Sequence, residues 1–146
     1  MKKNQWHGVD QHPELHIGQY IVPNFVSNSV AIQVSAHEYV LISPGEPLLA
    51  PFQSQFSSDV KLHIVFPNAY HHMGVTSWQQ AYPDAKLYAS RMAIQQLIKK
   101  GFDEKSINPS IHQSIRAYCA APTRRLRRVI STWPSSRRYL DTQTAR

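Results

Sequence analysis

Apolar and polar residues alternate along the first third of the chain and change rhythm after it. "LHIGQYIVP" (15–23) alternates loosely and stops at Pro23. In "NSVAIQVSA" (28–36) Val30, Ile32 and Val34 recur every second residue, the period of a strand with one buried face. "EYVLIS" (38–43) is a short apolar run, and the "SPGEP" that follows fixes a turn through its prolines and glycine. These segments predict an antiparallel meander with short connections. From residue 46 the spacing becomes near-helical: Leu48, Leu49, Phe52 and Phe56 recur, with Pro51 compatible only with a first turn. "VKLHIVF" (60–66) is a β-branched strand closed by Pro67. "TSWQQAY" (76–82) predicts a short helix capped by Thr76 or Ser77 and ended by Pro83 and Asp84. "AKLYAS" (85–90) predicts a strand. "SRMAIQQLIKKG" (90–101) has a Ser90 cap, an inner face of Met92, Ile94, Leu97 and Ile98, lysines in its last turn and Gly101 as stop. A meander leading into strand–helix–strand–helix units predicts an α/β domain, with helices covering a mixed sheet.

The 146 residues suit one domain, but charge divides them. Residues 1–115 carry seven lysines, one arginine and eight acids, a formal balance of zero. Residues 116–146 carry eight arginines, no lysine and one acid, Asp141. The whole net charge of +7 therefore belongs to the last segment, and the body has no electrostatic case for nucleic acid. "MKKNQWHGVDQHPELH" lacks the apolar stretch of a secretory signal, and no run approaches the roughly 18 apolar residues of a membrane span. Cys119 is the single cysteine, so neither an internal disulfide nor a thiolate cluster is expected, and the expected setting is cytoplasmic.

The stretch "LHIVFPNAYHHMGVTSWQQAYPDAKLYAS" (62–90) resembles an uncharacterised branch of the metallo-β-lactamase superfamily. Pro67, Asn68, His71, His72, Trp78, Tyr82, Pro83, Asp84, Ala85, Lys86 and Tyr88 carry the likeness, which extends over roughly residues 15–100. It implies the N-terminal part of an αββα sandwich, a truncated domain over residues 1–115. Hydrolases of the superfamily hold zinc or related metals through H-x-H-x-D-H. Laid on this chain, the six positions are Pro67, Asn68, Ala69, Tyr70, His71 and His72. Pro67 and Ala69 replace ligand histidines and cannot bind metal through their side chains. His71 stands where the aspartate that orients the attacking hydroxide belongs, and His72 alone keeps its type. Downstream, His112 is the one remaining histidine, and Asp84, Asp103 and Asp141 do not match the later ligand positions. The expectation is a degenerate metal loop in which His71 and His72 make hydrogen bonds, with no cofactor and no competent hydrolase. A weakened zinc site using His71, His72 and a meander histidine is the alternative.

Other chemistry is sparse. His7, His12 and His16 crowd the N-terminus, and "HPELH" (12–16) would clamp a metal only on a helix, which Pro13 and the strand rhythm oppose. Exposed histidines are expected there, and a half-buried sheet histidine at His63. No Gly-rich phosphate loop or G-x-S-x-G elbow occurs, and Cys119 has no base near it in sequence, so no nucleophile stands out. Residues 116–146 read as a disordered or non-native tail, from a shifted frame or a fusion. They also read as a binding segment. Leu126, Val129, Ile130 and Trp133 form an apolar stripe flanked by Arg124, Arg125, Arg127 and Arg128, and Pro134 stops it. Such a segment would bind anionic lipid or nucleic acid. If half of a sandwich is present, an inner face of Val30, Ile32, Val34, Val40, Ile42, Ile64 and Phe66 lacks its partner sheet, and self-association through it is expected.

Overall fold

The computed structural model describes residues 3–67, 72 and 74–109. The described elements are β1 (Gln5–Val9), β2 (His12–Val22), β3 (Phe25–Ser35), β4 (Glu38–Ile42), α1 (Leu49–Gln55), β5 (Lys61–Phe66), α2 (Val75–Ala81), β6 (Lys86–Ala89), α3 (Arg91–Lys99) and β7 (Ile107–Asn108). A 3-10 turn over Glu46–Leu48 leads into α1. The seven strands form one sheet in sequence order; β1 to β4 pair antiparallel and β4 to β7 pair parallel. The class is α/β with a mixed sheet, as the change of rhythm predicts. Two strands have no counterpart in that reading. β1 buries only Trp6 fully, and β7 is two residues long, so neither shows a readable period.

The three parallel crossovers all step the same way across the sheet. Right-handed connections therefore place α1, α2 and α3 on one face. The core lies between them and the sheet: Leu41, Leu62, Ile64, Phe66, Leu87 and Ala89 meet Leu48, Phe52, Val75, Trp78, Ala93 and Leu97. Phe52 is its centre. Four rings, those of Trp6, Tyr39, Trp78 and Tyr82, stand edge-on around it at centroid distances of 5.3 to 6.2 Å, which suits the ring quadrupoles. Pro51 falls in the first turn of α1, where its missing N–H is harmless.

The opposite face carries two rows. Ile17, Val30, Ile42, Val65 and Tyr88 follow one another from strand to strand, and so do Leu15, Ile32, Val40, His63 and Lys86. The seven residues expected to share one inner face thus divide. Ile64 and Phe66 point to the helices, while Val30, Ile32, Val40 and Ile42 point away; Val34 sits where the β3–β4 register shifts. Val30, Ile32 and Val40 are at most 8% exposed.

Helix ends follow local chemistry in one case and not in the other. Ser90 Oγ accepts from Ala93 N at 3.2 Å, the expected cap of α3. Gly101, at φ +94°, closes it: its N–H donates to Ile98 O and the next N–H, of Phe102, to Leu97 O, the paired bonds of a Schellman stop. The inner face is Ala93, Ile94 and Leu97; Met92 is 83% exposed and Ile98 also faces out, against expectation. Met92 lies one residue, about 100° of helix, off that stripe. α2 has no side-chain cap, since it starts from Gly74, before Thr76 or Ser77 can serve.

Candidate functional site

Open α/β sheets bind ligands beyond the carboxyl ends of their parallel strands, and here the turn after β4 meets Gly74, just before α2. After β4 the backbone is strained and buried. Ser43 has φ 53° although it is not glycine, and three hydrogen bonds hold the turn around it. Ser29 Oγ donates to its carbonyl at 2.6 Å, its own N–H donates to Val65 O at 3.1 Å, and Gly45 N donates to Ser29 Oγ at 3.3 Å. The motif tryptophan completes the arrangement: Trp78 Nε1 donates to Gly45 O at 3.0 Å. Glycine is required twice here. A Cβ on Gly45 would lie 2.5 Å from the Tyr20 ring, and one on Gly74 would lie 2.5 Å from both Pro44 O and Glu46 N. Gly74 is therefore pressed onto the turn after β4.

Pro67, at the first metal-ligand position of the resembled motif, is exposed. Asn68, Ala69, Tyr70 and His71 lie outside the described residues. His72 is half-buried; its ring meets Phe102 edge-on at 5.9 Å, and its carbonyl accepts from Val75 N at 3.1 Å. Among the described residues no three His, Cys, Asp or Glu side chains gather in a group that could hold a metal ion. Of the described residues on this loop, Pro67 has no side-chain donor atom and His72 meets the Phe102 ring.

The N-terminal histidines lie on strands. His12 and His16 are four residues apart in β2, about 13 Å along an extended chain, so they form no clamp. His12 Nδ1 lies 3.4 Å from Glu14 Oε1. His16 departs from the expected exposure. It faces α1, its ring stands edge-on to Phe56 at 4.9 Å, and burial pushes its pKa below the usual 6.5. Its buried Nδ1 has no hydrogen-bond partner among the described residues.

A second constellation stands on the opposite face of the sheet. His63 is 3% exposed rather than half-buried. Its Nε2 lies 2.7 Å from Glu38 Oε1 and its Nδ1 lies 3.0 Å from Tyr88 Oη. Lys61 Nζ lies 3.3 Å from the same Glu38 oxygen. The strands dictate this placement. Glu38 pairs with Lys61 in register, His63 follows two residues later on the same face, and Tyr88 is diagonal to it on β6. With Glu38 ionised, Nε2–H donates to the carboxylate, so in the neutral ring Nδ1 accepts from the Tyr88 hydroxyl. A hydroxyl, a base on it and a carboxylate behind the base are thus in line. Sequence reading missed the group because its members come from three strands, 25 residues apart at each step. The available signal was a histidine inside a β-branched strand, whose burial demands partners.

Arg124, Arg125, Arg127 and Arg128 lie outside the described residues. No helix among the described residues is long and apolar enough to cross a membrane. A scan against protein-family models matches none to this chain, and a search of the curated proteins gives no match.

Proposed function

We propose that residues 1–115 are a metallo-β-lactamase-like domain that has given up metal-dependent hydrolysis and acts by binding. The observation that supports this is the described part of the loop after β5: Pro67 stands at the first ligand position of the resembled motif, and His72 meets the Phe102 ring. The strained, three-way-tethered turn after β4 supports a retained binding crevice. Elemental analysis of the purified protein tests the reading, with well under one equivalent of zinc expected. One or more tightly held ions, lost when His71 and His72 become alanine, would overturn it. So would ester or lactam turnover abolished by His72→Ala.

The charge division favours a second role. Residues 116–146 hold the entire net charge of +7, so affinity for nucleic acid or anionic vesicles resides in them. Binding by an evolved segment weakens steeply with salt and falls when Leu126, Ile130 and Trp133 become serine. Equal binding by a scrambled segment of the same composition removes this role. The proposal extends to self-association through the sheet face away from the helices, whose exposed end carries the cross-strand pair Ile21 and Val26. A monomer at all concentrations by sedimentation removes that part.

A further inference from the structure

The structure holds two tyrosines that are equally covered and differ in one respect. Tyr82 and Tyr88 are each 8% exposed. The Tyr82 hydroxyl has no hydrogen-bond partner among the described residues, whereas that of Tyr88 sits 3.0 Å from His63 Nδ1, and His63 Nε2 sits 2.7 Å from Glu38. A nucleophile within reach of a base, itself oriented by a third group, is the general signature of an activated side-chain nucleophile. We propose that Tyr88 is a nucleophilic acyl-acceptor site, with His63 as its general base and Glu38 as the positioning carboxylate, taking small activated acyl donors.

The charges support the step. Moving the proton from Tyr88 Oη to His63 Nδ1 yields phenolate, imidazolium, Glu38 carboxylate and Lys61 ammonium in line, alternating in sign, with neighbours 2.7 to 3.3 Å apart. Each new charge thus forms beside an opposite one. On that face Val65 pairs with Tyr88 and Val40 flanks His63 on one side, while Lys86 flanks it on the other. In the reaction Oη bonds to the acyl carbon as its proton passes to Nδ1. The leaving group departs with its bonding pair and takes that proton, so the product is the Tyr88 ester and the protonated leaving group. No metal or redox partner takes part.

The test treats the full chain with N-acetylimidazole and follows acetylation of each of the seven tyrosines by peptide mass spectrometry. Tyr88 is expected to react well ahead of Tyr82. In Glu38→Gln the amide can donate to Nε2, which leaves the proton on Nδ1 facing Tyr88. The Tyr88 rate should then fall by about 10²-fold while Tyr82 is unchanged. Glu38→Asp should recover part of the rate. Tyr88 reacting no faster than Tyr82, or equally in wild type and a folded Glu38→Gln variant, would overturn the proposal. If Glu38→Gln loses its cooperative unfolding transition, the Tyr88-to-Tyr82 ratio in the wild-type chain decides alone. Ester turnover that survives His72→Ala and disappears in Tyr88→Phe would belong to this site and leave the reading of the metal loop intact.

Discussion

The two faces of the sheet are built from alternate residues of the same strands, yet they solve different problems. On the helix side β5 offers Leu62, Ile64 and Phe66, which belong to the apolar core. On the other side the same strand offers His63 and Val65, and a polar chain crosses three strands between apolar neighbours. The first face is held by area and shape and tolerates no lost volume. The second contains groups that must be satisfied together or not at all, since a buried polar atom stripped of its partner keeps its desolvation penalty. A strand can thus be both a structural wall and a carrier of chemistry, and a shift of one residue would exchange the two.

The comparison breaks most severely at Phe52. With four rings edge-on around it and no exposure, Phe52→Ala should cost about 3–5 kcal/mol, read as a lower denaturant midpoint. Gly74→Ala should come next. Its Cβ would meet backbone atoms, which cannot swing aside as a side chain can, so a loss of about 1–3 kcal/mol is expected. On the opposite face, His63→Ala strips both Glu38 and Tyr88 of a partner and should cost about 1–3 kcal/mol. A triple replacement of Glu38, His63 and Tyr88 by apolar residues of similar shape should cost less than the sum of the single changes, which a mutant cycle measures. Strict additivity would mean that the three do not act as a unit.

The smallest effect is the pH response of His16 on the helix side. Burial lowers its folded pKa below the unfolded value of 6.5, so the unfolded chain binds the proton more readily. The stabilisation is complete above pH 6.5 and is lost as pH falls below that value toward the folded pKa. Tyr39 and Tyr82 behave oppositely at the alkaline end. Burial raises both, so stability falls as pH climbs above the unfolded value of 10. Thermal scans of wild type and His16→Gln between pH 7.5 and 5, expressed as roughly a change in slope, separate the first contribution. Identical slopes would remove His16 as the source.

What could be read from the sequence followed the same division. Period-two alternation and the Ser90–Gly101 helix gave the meander, the parallel units and most strand positions, because these signals are local. Which face each strand residue serves was not legible: Ile64 and Phe66 look like Val30 and Ile32 until register and crossover hand are known. Met92 was misplaced because an apolar side chain one residue off the stripe is indistinguishable by composition. The histidine pair at 71–72 drew attention because it is adjacent in sequence, while the Glu38–His63–Tyr88 alignment depends on strand order and stayed hidden.

The order of the strands has a consequence for how the molecule is made. Every strand pairs with the one that precedes it in the chain, without exception among the seven. No strand waits for a distant partner, so loop-closure entropy stays low at each addition, even where a helix intervenes. During synthesis the antiparallel ribbon can close as soon as residue 42 has left the ribosome, and each later strand then finds a finished edge to join. The sheet grows in one direction, and β6 remains its open template until Ile107 and Asn108 emerge to pair with it.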